Sequence, residues 1–161
     1  MQNKMSSLFL RGLFFAGLNP GIVAGLIPVL MTKAYTGDVY ITPLNLNHIF
    51  GSTLFLIGFI ILSICIVDFA VIGRGTLSPA DPTKKLVHKG LYQYSRNPMY
   101  VGVMVILLGE VIFTQSIPLL IYALAIFTIF NIFIIFFEEP RLKKDFQEAY
   151  IHYCEKVRRW L

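Results

Sequence analysis

The residues best suited to chemistry lie in two short stretches of the chain, at positions 90–102 and 138–139. The first reads Gly-Leu-Tyr-Gln-Tyr-Ser-Arg-Asn-Pro-Met-Tyr-Val-Gly, and the second is a pair of glutamates. Both adjoin long apolar segments, where ionisable side chains are costly unless they meet water or a partner. Together they indicate binding or catalysis at a membrane surface.

The first stretch predicts the start of a helix. Pro98 disfavours helical geometry at Asn97 and suits the first helical turn. A helix N-terminus offers unpaired N–H groups that hold a carboxylate or phosphate, and Arg96 adds a donor. The alternative is a purely structural role. Asn97 would then cap the helix, Arg96 would be one of the basic residues that favour the cytoplasmic side, and the tyrosines would form an aromatic belt at the membrane interface.

The acidic pair suggests an anchor for a cation. Glu138 and Glu139 follow an apolar segment and suit an ammonium, a sulfonium or ribose hydroxyls. The alternative is a solvated helix end in which Glu139 pairs with Lys143. A short hairpin returns the chain to the same membrane face, so we expect Glu138 and the stretch 92–100 to border one cavity open to the cytosol. That cavity would hold both ends of a zwitterion.

Two further acids, Glu110 and Asp68, fall inside apolar segments and are functional candidates by default. Glu110 either faces a substrate channel or forms a hydrogen bond within the bundle, and Asp68 could pair with Arg74. A lone histidine in a basic loop, His88, is expected to be solvated.

The elements that position these residues are predicted from hydropathy. With 161 residues, 56% of them hydrophobic, and a mean hydropathy of +0.68, the chain should be one integral membrane domain. Crossing a bilayer takes about 20 mostly apolar residues, and four segments approach that length: 8–31, 49–72, 99–113 and 117–137. The predicted fold class is therefore all-α, an integral membrane helical bundle of about four transmembrane helices. We divide the domain at position 73, with N-terminal membrane helices before it and a loop, a helical hairpin and a tail at 74–161.

The first segment should be kinked at Asn19-Pro20-Gly21 and is expected to stay in the membrane as an anchor. Basic residues cluster between the second and third segments and after the fourth, which places both regions and both termini on the cytoplasmic side. The loop 32–48 then lies outside. The net charge of +5 is explained by topology and anionic lipid, so we expect no nucleic-acid partner. Cys65 and Cys154 are not expected to pair, and no cluster predicts a metal.

The tail from Glu138 onward has an amphipathic helical pattern. Its apolar positions recur at steps of three and four residues: Leu142, Phe146, Ala149, Tyr150, Tyr153, Val157 and Trp160. Such a helix can lie among lipid headgroups as a surface anchor.

Three groups of residues, in this order along the chain, resemble the isoprenylcysteine carboxyl methyltransferase family, which is related to the membrane phospholipid methyltransferases. They are Leu86-Val87-His88-Lys89-Gly90-Leu91-Tyr92, then Arg96-Asn97-Pro98-Met99-Tyr100-Val101-Gly102, then Glu138-Glu139 with Leu142, Phe146, Tyr150 and Tyr153. The resemblance covers roughly position 73 to the C-terminus.

The resemblance implies an enzyme that uses S-adenosylmethionine, held at the cytoplasmic face. Carried over position by position, Leu86, Val87, Gly90 and Tyr92 would line the cofactor, Asn97, Pro98, Met99 and Tyr100 would cradle it, Glu138 would bind its polar end, and Glu139 is a second acidic candidate. The methyl acceptor would be a carboxylate, thiol or amine on a lipophilic or small molecule that reaches the site from the lipid bilayer.

Two positions depart from the pattern of the prenylcysteine enzymes. Those enzymes usually have Arg-His-Pro where this chain has Arg96-Asn97-Pro98, and a substrate-binding arginine where this chain has Ile134. A prenylcysteine carboxylate is therefore not the expected acceptor. No general base is assigned.

Two other functions remain open at this stage. One is a small non-enzymatic membrane protein whose tail docks on lipid or a partner helix. The other is a relative of the sterol and isoprenoid reductases, which would bind a nicotinamide cofactor. No serine triad or glycine-rich phosphate loop is present, which disfavours hydrolase, kinase and soluble nucleotide-binding functions.

Overall fold

The computed structural model describes residues 20–36, 45–72 and 85–161, and these residues form helices with no strand. Helix α1 consists of a π-helical turn, Ile22–Leu26, and the α-helix Ile27–Thr36. Helix α2 is Leu46–Val71, α3 is Pro98–Thr114 and α4 is Ile117–Phe133. A 3₁₀ turn, Gly90–Gln93, precedes α3, and a π-helical turn, Ile134–Glu138, joins α4 to α5, Glu139–Lys156. The all-α prediction is confirmed.

The membrane character of the fold rests on two long helices. In the described ranges, Leu46–Asp68 and Ile117–Lys156 are long and apolar enough to cross a membrane, whereas Ile22–Lys33 and Pro98–Thr114 are shorter apolar helices. Only 22% and 17% of the two long apolar windows is buried inside the protein. A soluble protein rarely exposes so much apolar surface, so these helices present side chains suited to lipid.

Several predicted boundaries need correction. Helix α1 continues to Thr36 and α2 begins at Leu46, so the loop predicted at 32–48 is shorter. Asn45 starts α2 early because it forms a capping box with His48. Helix α1 is irregular at Ala24, with φ −111° and ψ 22°; the kink predicted at Asn19-Pro20-Gly21 falls at the edge of the described residues and stays a prediction. The π turn of α1 leaves the Val23 carbonyl to accept a hydrogen bond from the Tyr122 hydroxyl at 2.9 Å.

Helices α2 and α3 pack against each other more closely than any other pair. Glycines spaced seven residues apart face each other in antiparallel order, Gly51 with Gly109 and Gly58 with Gly102. A Cβ at position 58 would lie 2.7 Å from the Gly102 carbonyl oxygen. Small residues allow two backbones this close an approach in a membrane bundle.

The helical hairpin predicted between α3 and α4 is present. Gln115 adopts the left-handed conformation, with φ 49° and ψ 31°, and ends α3. Ser116 then caps α4 by accepting a hydrogen bond from the Leu119 N–H. Because the hairpin is this tight, the end of α4 returns to the level at which α3 began.

Candidate functional site

The turn before α3 packs on the end of α2. Val87 and Tyr92 are buried with Cys65 in one apolar cluster, against which Met99 also packs. Burial raises the pKa of Tyr92 well above its ordinary value, and the Glu138 and Asp68 carboxylates raise it further. Tyr92 therefore stays protonated at neutral pH.

Two features of this turn require glycine at position 90. Its φ of +64° lies in the left-handed region that favours glycine. A Cβ at this position would also lie 2.7 Å from Asp68 Oδ2. The turn thus presses its backbone against a carboxylate of α2.

Glu138 meets the first turn of α3. The Tyr100 hydroxyl donates a hydrogen bond to Glu138 Oε2 at 2.8 Å, and the Tyr100 ring packs edge-on against Phe130 with centroids 4.7 Å apart. Burial raises the pKa of Glu138, although the Tyr100 hydrogen bond and the charge of Arg141 oppose the shift. The two chemistry-bearing stretches of the sequence therefore come together here.

Glu139 has different partners from Glu138. Arg159 donates two hydrogen bonds to it, at 2.8 and 3.0 Å, and Arg96 Nη1 lies 3.2 Å from its Oε1. Burial raises the pKa of Glu139, but the hydrogen bonds from Arg159 and the charge of Arg96 outweigh burial and leave the pKa below its ordinary value. Its partners are thus arginines rather than Lys143 in an i,i+4 pair, and its charge is already neutralised.

The chain after α5 returns to the start of α3 as a short extended segment, residues 157–160, here called the C-terminal strap. The Arg96 N–H donates to the Arg158 carbonyl at 2.9 Å, and Asn97 Nδ2 donates to the Arg159 carbonyl at 3.0 Å. Trp160 Nε1 donates to Asn131 Oδ1 at 3.1 Å. Asn97 therefore holds the strap and does not cap α3, whose N-terminus has no side-chain cap.

The tail helix also differs from the predicted continuous amphipathic anchor. It breaks at Gln147, with φ 45° and ψ −123°. Beyond this break the Tyr153 hydroxyl donates to the Tyr92 carbonyl at 2.6 Å, and Arg96 Nη1 donates to Cys154 Sγ at 2.8 Å. The apolar stripe of the tail thus packs on the site in addition to any contact with lipid.

The predicted site residues fall into distinct positions. Tyr100 and Glu138 are in direct contact, Val87, Tyr92 and Met99 share a cluster, and Pro98 is buried as the first residue of α3. Leu86 is half-buried just before the turn. Its backbone carbonyl lies 3.2 Å from His88 Nδ1. The sequence did not assign Arg159, Tyr153 or Asp68 to this site. Tyr153 carried a signal in the apolar stripe of the tail, and Asp68 carried one as an acid in an apolar segment, whereas Arg159 carried none.

The arrangement suits a ligand with a cation at one end and an anion at the other. Glu138 offers a carboxylate whose described hydrogen-bond partner is a neutral hydroxyl, and the uncapped N-terminus of α3 offers N–H groups. Two surface cavities of the described residues, about 560 and 310 Å³, lie away from these groups, at Glu148–Glu155 and at the hairpin between α3 and α4. The cavity expected between Glu138 and the stretch 92–100 stays a prediction. In the described ranges no group of three potential ligands is placed to bind a metal.

A family model described as phospholipid methyltransferase matches residues 46–149 of this chain. The matched region runs from the first residue of α2 past the break in α5, so it includes the turn, Tyr100 and both glutamates. Tyr153 and the C-terminal strap lie beyond it. No curated protein and no solved structure matches the chain.

Proposed function

Because this chain belongs to the phospholipid methyltransferase family, we propose that it transfers a methyl group from S-adenosylmethionine to a lipophilic acceptor at the membrane. The match confirms the resemblance that the sequence motifs indicated. The observation that carries the proposal is the hydrogen bond between Tyr100 and Glu138, which joins the two motifs in one place.

The residues present fit this cofactor. Its ammonium and sulfonium require a negative partner, and Glu138 is a largely buried carboxylate whose described hydrogen bond comes from Tyr100. Its carboxylate requires donors, and the N-terminus of α3 has no side-chain cap. Leu86, Val87, Gly90 and Tyr92 are proposed to line the cofactor, and Asn97, Pro98 and Met99 to cradle it. Glu139 is assigned a different role, that of holding Arg96 and the C-terminal strap.

When bound, S-adenosylmethionine supplies an electrophilic methyl group on a positively charged sulfur. The protein contributes position, because Glu138 and the helix N-terminus fix the two ends of the amino-acid portion and aim the methyl group. Exclusion of water from the acceptor side would preserve the electrostatic contribution of these groups. We propose that the cofactor residues follow the pattern of the isoprenylcysteine carboxyl methyltransferases but that the acceptor differs, since Ile134, at the position of their substrate arginine, is fully buried.

We also propose the topology that places the site. The four apolar segments would cross the membrane, with positions 1–73 supplying two of the crossings and positions 74–161 supplying the site. The turn, the glutamates and both termini would face the cytoplasm. The basic residues flanking the turn and the tail support this orientation.

Binding of S-adenosylmethionine to the purified protein in detergent tests the proposed function. We expect Glu138→Gln to weaken binding about tenfold or more, because a charged hydrogen-bond partner is lost. Tyr100→Ala should also weaken it. Because burial raises the pKa of Glu138 and the cation binds the ionised form, wild-type affinity should fall as the pH drops through that pKa. This pH dependence should be absent in Glu138→Gln.

The matched control for this test is Glu148→Gln, an exposed acid on the tail. It should bind the cofactor as the wild type does. Equal affinity in wild type, Glu138→Gln and Tyr100→Ala would refute the proposed site, and no binding to the wild type would refute the proposed function.

The topology is tested by labelling single cysteines in sealed membrane vesicles. With Cys65 and Cys154 replaced, Ile117→Cys at the hairpin tip and His152→Cys on the tail are both at exposed positions. We expect a membrane-impermeant maleimide to label them from opposite sides, with His152→Cys on the cytoplasmic side. Labelling of both from one side would contradict the proposed crossing by α4.

A further inference from the structure

The C-terminal strap places backbone carbonyl oxygens on donors at the start of α3. The Arg96 N–H donates to the Arg158 carbonyl at 2.9 Å, and Asn97 Nδ2 donates to the Arg159 carbonyl at 3.0 Å. The Ser95 hydroxyl donates to the same Arg159 carbonyl at 3.3 Å. With these bonds in place, Ser95 is 1% exposed and Asn97 is 7% exposed. The strap therefore covers Asn97, which is one residue of the proposed cofactor cradle.

The same strap places a cation on one glutamate of the acidic pair. Arg159 donates to both carboxylate oxygens of Glu139, at 2.8 and 3.0 Å, which is the strong bidentate form of this contact. The next residue, Trp160, fixes the end of the strap on α4. Its Nε1 donates to Asn131 Oδ1 at 3.1 Å, and its ring packs on Phe127 with centroids 5.2 Å apart.

Arg159 thus presents the two kinds of group that the amino-acid portion of S-adenosylmethionine also carries. Its guanidinium is a cation bound to a glutamate, and its carbonyl oxygen accepts from Asn97 in the cradle. A free cofactor would bring an ammonium and a carboxylate to the same end of the bundle. The two cannot share the Asn97 side chain while that side chain is buried under the strap.

Resting on the proposed binding of S-adenosylmethionine, we propose that the C-terminal strap competes with this cofactor, with Arg159 standing in for its amino-acid portion until the strap leaves α3. The strap is then an autoinhibitory contact. Glu138 stays on its Tyr100 hydrogen bond in the closed form and is free to receive the cofactor cation when the strap opens.

This competition has a definite sign. When only the open form binds a ligand, the apparent affinity is reduced in proportion to the fraction of molecules that are open. A substitution that removes one contact of the strap raises that fraction, so it tightens cofactor binding. A strap that closed over bound cofactor as a lid would give the opposite change, and a strap with a structural role alone would give none.

The test uses the full-length protein in detergent and two variants that break one contact from either side. Trp160→Phe keeps an aromatic ring beside Phe127 but removes the N–H donor, and Asn131→Leu removes the acceptor. By calorimetry, each should bind S-adenosylmethionine about three- to tenfold more tightly than the wild type, the scale of one hydrogen bond. The double variant should bind no more tightly than either single one, because both remove the same bond.

Thr128→Val is the matched control for these variants. Thr128 is another exposed polar residue of α4, and its described hydrogen bond is to the Leu124 carbonyl of its own helix. The substitution removes a polar group from the same helix without touching the strap. Its affinity for S-adenosylmethionine should equal that of the wild type.

A second readout uses the wild type and needs no variant to fold. Trp160 is the single tryptophan of the sequence, so quenching of its fluorescence by iodide reports whether the strap covers it. We expect saturating S-adenosylmethionine to increase this quenching, because Trp160 leaves Phe127 and Asn131 when the strap opens. In Asn131→Leu the quenching should already be higher before cofactor is added.

The outcomes separate the two proposals. If the wild type binds no S-adenosylmethionine, the proposed function falls and the strap has no ligand to compete with. If the wild type binds it but Trp160→Phe and Asn131→Leu bind it equally or more weakly, the competition is overturned while the proposed function stands. Trp160 quenching that is unchanged or reduced by bound cofactor would overturn the competition in the same way.

Discussion

Replacing Gly58 with alanine is expected to destabilise the protein by about 1–3 kcal/mol, and leucine at the same position should prevent α2 and α3 from packing. The new Cβ would lie 2.7 Å from the Gly102 carbonyl oxygen and from the Ile106 nitrogen. Both are backbone atoms, so no side chain can rotate away and the helices must separate. Gly109→Ala should behave alike, because its Cβ would lie 2.7 Å from the Gly51 carbonyl oxygen.

Gly25→Ala is the matched control for these substitutions. A Cβ there has no neighbour within 4 Å, so the variant gains helix propensity without a clash, worth up to about 1 kcal/mol. Thermal unfolding in detergent measures all three alanine variants. Equal melting temperatures for Gly58→Ala and Gly25→Ala would show that the close approach of α2 and α3 is absent in solution.

Sequence reasoning found the helices well because hydropathy marks their length directly. It placed α2 and the hairpin within a few residues, and Pro98 correctly marked the start of α3, whereas the caps at Asn45 and Ser116 were not predicted. It also anticipated that the stretch 92–100 would meet Glu138, because a tight hairpin leaves the chain little choice. The pattern of charges did not show that Glu138 would contact Tyr100 while Glu139 would pair with arginines.

The remaining features depend on contacts between distant segments. The break at Gln147 has no local signal, since glutamine rarely adopts a positive φ and tertiary packing must impose it. The pairing of Arg159 with Glu139 joins residues 20 positions apart across that break. Likewise, Asp68 meets Gly90, and nothing in the sequence neighbourhood of Asp68 indicates that contact. Single-sequence patterns report local structure, so they miss such pairs.

Substituting Glu139 with glutamine is expected to release the C-terminal strap and to cost about 1–3 kcal/mol of stability, less than breaking a fully buried ion pair because the Arg159 side chain is 34% exposed. The Glu139 side chain is 12% exposed and that of Arg96 is 14% exposed. Removing the carboxylate leaves Arg96 and Arg159 close together with no described counter-charge. Trp160, the single tryptophan of the sequence, reports the change, because it packs on Phe127 with ring centroids 5.2 Å apart. We expect its fluorescence to shift to the red as it enters water.

The same contact should respond to acid in the wild type. The Glu139 pKa is below its ordinary value in the folded protein, so the ion pairs stabilise the fold above the ordinary glutamate pKa. That stability is lost as the pH falls through the lowered pKa, and the Trp160 shift should appear in that range but not in Glu139→Gln, which is already shifted at neutral pH. Glu155→Gln is the control, because its pair with His152 is 63% and 71% exposed and is worth little. Unchanged Trp160 emission and melting temperature in Glu139→Gln would mean that the strap is held by its backbone hydrogen bonds and by Asn131, with Glu139 contributing nothing.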